Sequence, residues 1–324
     1  MKRLTIFSTL VALLCIASTL FHTESAYARR GDKNFLDSTS ATIPMADSLF
    51  GDAFLGPEAI SVAYGVSIDS ITVPPIPYTI GELKFFRRLG YILVFQIDSI
   101  DGKPLTMQRQ IETYQKCSAY TEKLSFTIDS QKENFFVSEV PQAGWRLVSG
   151  TVIPGSTGQD YMLQTALLQT YPEDYRIPGY TANNTTVFAD AMQKADSCLK
   201  RNKKIRKSTG NQYDTTGLQQ AAKLLATMQT NISYRETAVE VCYRIILFHA
   251  MHQESLFLDE YVWTNSLSSD NKFVGVGSFF VATSQKYRNN GKTEVEVLVK
   301  KDYPNTCGPV RGTTFVYPPV RTMK

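Results

Sequence analysis

The residues Ala238, Cys242, Ile245, His249, His252 and Leu256 recur at three- and four-residue steps, and from Glu260 onward the pattern changes to short strand-like runs. This switch constrains the fold more than any other feature. A long helix followed by a block of strands cannot be written as regular βαβ units, so it predicts α+β. The expected architecture is a single large mixed domain with a long central helix and a strand-rich C-terminal part. Ser233 and Glu236 read as a capping box for the central helix. Strands are expected over Tyr261 to Thr264, Phe273 to Val276, Val295 to Val299 and Thr313 to Val316.

Upstream, Pro57 to Tyr64 reads as a short helix closed by Gly65, and Thr72 to Pro77 carries three prolines and must be extended. Thr79 and Glu82 form a T-x-x-E box for a helix that Gly90 stops. Tyr91 to Ile97 then reads as a buried strand, with Asp101-Gly102 as the turn behind it. Phe135 to Val140 and Trp145 to Ser149 are expected as strands. Thr157 should cap a helix running to about Thr170. Two more helices, near 186–200 and 215–229, should be joined by a basic loop.

At 324 residues the chain is long enough for a large core; 43% hydrophobic and 20% charged residues exclude a disordered chain and a multi-span membrane protein. Lys2 and Arg3 precede an apolar run from Leu4 to Phe21, and Ala26-Tyr27-Ala28 supplies the A-x-A pattern of a signal-peptidase site. Residues 1–28 are read as a signal peptide, 29–55 as a polar tether and 56–324 as the α+β domain, with a subdivision near residue 210 as an option. The protein is expected to be secreted, periplasmic or at the cell surface. An N-terminal membrane anchor is the alternative, because the apolar run is long for a cleaved signal.

Four cysteines follow the leader: Cys117, Cys198, Cys242 and Cys307. Being even in number and exported, they are disulfide candidates with three conceivable pairings, while the absence of C-x-x-C argues against a redox centre or zinc ribbon.

Several segments occur in an order that resembles a family of uncharacterised exported proteins of candidate-phylum bacteria. They are Ile76-Pro77-Tyr78-Thr79 with Glu82-Leu83, Tyr91-Ile92-Leu93-Val94, Lys103-Pro104-Leu105-Thr106, Trp145-Arg146-Leu147-Val148-Ser149, Ile153-Pro154-Gly155-Ser156-Thr157-Gly158 and Tyr161 with Gln164-Thr165. Leu258, Tyr261-Val262-Trp263-Thr264 and Val274-Gly275-Val276-Gly277-Ser278-Phe279 complete the set. The resemblance implies one continuous folding unit over about 56–280. It implies no chemistry, since that family has no established activity.

His249 and His252 are the metal-ligand candidates. They fall one turn apart on the apolar helix face, where two imidazoles converge on a divalent transition metal if a third ligand comes from elsewhere. Glu254 points away, and H-x-x-H lacks the general base of H-E-x-x-H. Packed core histidines are the simpler reading, so no cofactor is expected, with a divalent transition metal as the alternative. No residue is assigned a catalytic role. Ser197 with Lys200, and Ser269-Asp270-Asn271, echo S-x-x-K and S-D-N of serine penicillin-recognising enzymes, but Ser197 falls near the end of its expected helix. Gly291-Lys292-Thr293 resembles the end of a phosphate loop, yet Lys286 stands where its first glycine belongs.

Formal net charge is +4; without Lys2, Arg3 and Glu24 the counts of 34 basic and 30 acidic residues become 32 and 29. Six of the positive charges lie in eight residues: Lys200, Arg201, Lys203, Lys204, Arg206 and Lys207. They are the anion-binding candidates, suited to an anionic surface or a cell-wall polymer. No aromatic residue interleaves them, so specific nucleic-acid binding is not expected. The combined expectation is an exported protein with a non-enzymatic binding or structural role at the cell surface or outside. The alternative is a metal-dependent hydrolase centred on His249 and His252.

Overall fold

The computed structural model describes residues 38–117, 124–128, 131–174, 185–208, 214–280 and 295–317. The expected leader, the Gly291-Lys292-Thr293 echo and the optional boundary near 210 lie outside these residues. In chain order the elements are α1 (Ile43–Phe50), β1 (Phe54–Leu55), α2 (Pro57–Tyr64), α3 (Ile80–Arg88), β2 (Tyr91–Gln96), β3 (Ser99–Ile100), β4 (Lys103–Pro104), α4 (Met107–Lys116), β5 (Ser125–Ile128), α5 (Asn134–Val137) and β6 (Gly144–Ser149). They continue with α6 (Tyr161–Asp174), α7 (Thr185–Ser208), α8 (Thr216–Ala226), α9 (Gln229–Tyr234), α10 (Ala238–His252), β7 (Glu260–Leu267), β8 (Phe273–Phe280), β9 (Val295–Asp302), β10 (Arg311–Gly312) and β11 (Val316–Tyr317). The class is α+β, as expected. Among the described residues, no helix is long and apolar enough to cross a membrane.

Two sheets flank the central helix α10. One runs β1-β2-β6-β11 and the other β10-β7-β8-β9-β5, with β3 and β4 as a separate hairpin. Asp101 (φ 52°) and Gly102 (φ 68°) form that hairpin's turn, where two successive left-handed residues are required. α10 packs on β7 and β8 on one side. On the other, Tyr243 donates to the Phe95 carbonyl of β2 (3.0 Å) and Arg244 to the Ser149 carbonyl of β6 (3.0 Å). Enclosed between the sheets, it buries eleven of its fifteen residues, including Ile245, Ile246 and Leu247. Each of those three side chains contributes about 1.5–3 kcal/mol by leaving water.

A second core lies between α6, α7, α8 and the first strands of the larger sheet. Ala191, Ala195 and Cys198 meet Leu218, Ala221 and Leu225 there, and Tyr161 stacks on Phe273 with ring centroids 3.5 Å apart. Gly217 lets α7 and α8 approach closely: a Cβ at this position would stand 2.6 Å from Cys198 Cβ and 2.7 Å from the Lys194 carbonyl.

Several expectations are corrected. Residues 43–55 are part of the fold rather than the end of a tether: Thr42 caps α1, and Ala46 and Phe50 are buried. Phe135 to Val140 holds no strand. Its first residues form α5, because Phe135 and Phe136 are both buried in the same core and a strand would send neighbours to opposite faces. The cap before α6 is Asp160, whose carboxylate accepts the Leu163 amide at 2.9 Å, and not Thr157. The capping carboxylate of α10 is Glu240, which accepts the Thr237 amide at 2.8 Å, because Glu236 is engaged by Arg244. Of the expected strand over Thr313 to Val316 only Val316 is in a strand: residues 313–315 join β10 to β11, where Thr313 and Thr314 bond Arg235 and Glu236 instead of a ladder.

The basic loop is also corrected, since α7 continues through Ser208 and the basic run is helical. Asn202 extends the buried face set by Ala191, Ala195 and Cys198, exchanging hydrogen bonds with the Asp214 backbone at 2.7 and 2.9 Å. Asn202 thereby ties α7 to Asp214, which precedes α8.

Candidate functional site

The two candidate histidines occupy the last turn of α10 in different surroundings. His249 is buried, with Nδ1 2.9 Å from the Tyr114 hydroxyl. That hydroxyl also accepts the Leu124 amide at 2.9 Å, so Tyr114 ties the end of α10 to the backbone at residue 124. Burial pushes the Tyr114 phenol up to about 12, so it stays protonated at neutral pH. His252 is half-buried against the Phe248 ring, at 4.5 Å between centroids, and its Nε2 is buried without a hydrogen-bond partner. Among the described residues, no third His, Cys, Asp or Glu joins them in a group that could hold a metal ion.

The densest polar chemistry lies at the start of α10. Arg244 binds Glu236 with two nitrogens in a fully buried ion pair, and Thr314 donates to the same carboxylate at 2.8 Å. Next to it, Arg235 is buried against neutral acceptors: Asn231 Oδ1 and Thr313 Oγ1 at 2.8 Å, Gln164 Oε1 at 3.3 Å and the Tyr161 carbonyl at 3.3 Å. Its guanidinium lies 4.0 Å from the centroid of the Tyr161 ring. Burial lowers its pKa to about 10, so it stays charged at neutral pH. This network ties α6, α9, α10 and the C-terminal strands into one unit.

A cleft of about 390 Å³ opens between residues 66–74 and the end of β2. Phe95, Ile97 and Ile71 supply apolar walls; Ser70, Thr72, Ser99, Asp98 and Asp101 supply hydroxyls and carboxylates, and among the described residues no Lys, Arg or His lines it. Its walls are held before any ligand arrives. Trp145 Nε1 donates to the Pro74 carbonyl at 2.9 Å, Ser61 to Val66 at 2.7 Å, and the Leu105 amide to Asp98 at 2.7 Å. At its mouth, Gly144 has φ 122° and open space where a Cβ would stand.

No protein-family model, curated protein or solved structure matches this chain.

The remaining sequence candidates fall into place individually. Ser197 is exposed in the middle of α7 rather than at its start. Ser269-Asp270-Asn271 is the turn between β7 and β8, anchored where the Ser269 amide donates to Glu133 at 2.7 Å. Glu133 also accepts from Lys301 Nζ at 2.7 Å. All four cysteines are free, so the disulfide candidates are not bridged in the structure. Cys198 sits in the second core and Cys242 in the first, Cys117 donates to the Val62 carbonyl at 3.3 Å, and Cys307 is exposed.

Sequence reasoning missed Arg235, Arg244 and the cleft, and gave Glu236 a capping role in place of its ion pair. Arg244 carried a readable signal: it is a charged residue inside the apolar stretch from Val241 to Leu247, where only a paired charge is tolerated. The cleft carried none, because its walls come from segments about 25 residues apart whose closure depends on Trp145.

Proposed function

We propose that this is an extracytoplasmic protein with a non-enzymatic binding role, and that the cleft beside β2 takes a small ligand bearing hydroxyl or ammonium groups. The cleft carries the reading: its acceptor-rich lining complements hydrogen-bond donors, its carboxylates favour cations, and its prearranged walls lower the cost of binding. The use of the buried polar groups supports it as well. Arg235, Glu236, Arg244 and His249 are each engaged in hydrogen bonds that join elements of the fold. The basic cap, apolar run and A-x-A site before Arg29 support export, and membership in the resembling exported family belongs to the same proposal.

The test is saturation-transfer NMR on the chain from Arg29 to Lys324, screened against hexoses and small diamines. Signals should appear for one class and vanish in Thr72→Trp, which fills the cleft from an exposed position. Signals unchanged by that substitution would reject the cleft. A metal-dependent hydrolase at His249 and His252 is the second reading, favoured by the unpartnered Nε2 of His252. Elemental analysis of protein purified without added metal decides it, and no stoichiometric zinc, manganese or iron ends it.

A further inference from the structure

Helical continuation of α7 orders the basic run in a way a loop would not. At about 100° per residue, Lys200, Lys203, Lys204 and Lys207 fall within about 100° of arc and extend over about 10 Å of helix axis. Ala191, Ala195, Cys198 and Asn202, the buried positions, lie on the opposite side. Lys200 and Lys203 are exposed, and Lys200 pairs with Asp196 one turn earlier. Arg201 lies off this stripe and pairs with Asp214 at 3.3 Å.

Like charges three and four residues apart destabilise a helix, so stability does not explain four lysines on one stripe. The negative end of the helix dipole amounts to about half a charge, which four ammonium groups exceed. The stripe therefore carries a net positive charge on the helix side opposite the buried positions. The apolar face of α7 is committed to α8, leaving no face to insert into a bilayer as an interfacial helix does. Flexible ammonium groups also suit phosphate charge without reading base edges.

We infer that the lysine stripe of α7 is a docking surface for a linear phosphate-bearing polyanion, engaged electrostatically along about two helical turns. It stands independently of the cleft. The probe is long-chain inorganic polyphosphate, with binding by the chain from Arg29 to Lys324 followed across a salt series. The unmodified protein should show a steep logarithmic decline with salt. K200Q/K203Q/K204Q/K207Q should bind at least tenfold more weakly and lose about three units of that salt slope, at roughly 0.7 per contact. Glutamine is a good helix former, so far-UV circular dichroism should be unchanged.

A second variant removes the same charge elsewhere, from exposed Lys84, Lys103, Lys116 and Lys132, and should bind nearly as well as the unmodified chain. Equal weakening of the two variants would reduce the effect to net charge and overturn the inference. Salt-insensitive binding by the unmodified protein would overturn it without any variant. Tighter binding to phosphatidylglycerol vesicles that polyphosphate does not compete away would also overturn it, assigning the stripe to a membrane surface.

Discussion

Among individual residues, charge burial decides the most. Arg244 and Glu236 exchange two hydrogen bonds with almost no solvent contact, so removing one partner strands the other. Arg244→Ala should cost about 3–5 kcal/mol in denaturant unfolding. The carboxyls of Glu139 and Glu240 respond to acid in a definite direction. Burial raises both, Glu240 adds to the rise at Glu139 and Glu236 to that at Glu240, and these effects prevail over the Ser266 hydroxyl that donates to Glu139. Both therefore bind a proton more readily folded than unfolded. Their contribution to stability grows as pH falls from neutral and levels off below the ordinary value of 4.5. Glu139→Gln should accordingly raise Tm at pH 7, and the gain should disappear below that value. A constant difference across the titration would show that this carboxyl is not raised. Glu133 behaves oppositely. Burial pushes it up, but its bonds to Lys301 and Ser269 prevail, so it loses stabilising charge in acid.

The helices and strands show where sequence reading succeeds and where it stops. Local chemistry announced α2, α3, β2, β6 and the Asp101-Gly102 turn, because proline, the Thr79–Glu82 box and left-handed glycines act within a few residues. Competition obscured the rest. Two overlapping capping boxes precede α10, and the distant Arg244 selects which glutamate caps. Likewise the end of α7 is helical because Asn202 meets Asp214 beyond it. The contact between α7 and α8 supplies a test. Gly217→Ala places a methyl against Cys198 Cβ and the Lys194 carbonyl, and should destabilise by about 1–3 kcal/mol in chemical denaturation. An unchanged midpoint would show that these helices are not held this closely.

At the largest scale, the described residues form two sheets flanking one buried helix, with a second helical core and a cleft at the end of β2. The α+β class was readable from the change of period near residue 260. The cleft was not, since it forms only after Trp145 of β6 fastens the proline-rich segment. Four unbridged cysteines give a global test: the chain from Arg29 should show four reactive thiols when denatured without reductant. Cys307 should react first in the native state and Cys242, buried and raised to about 12, last. The central claim places ligand binding at the cleft and a structural role at the end of α10. Hydrogen–deuterium exchange tests it most directly, comparing the protein alone, with the best-retained hexose or diamine, and with zinc. The account predicts slowed exchange over 66–74 and 95–101 with the organic ligand, and no change in 245–252 with zinc. Zinc-dependent protection of 245–252, with none at the cleft, would contradict it.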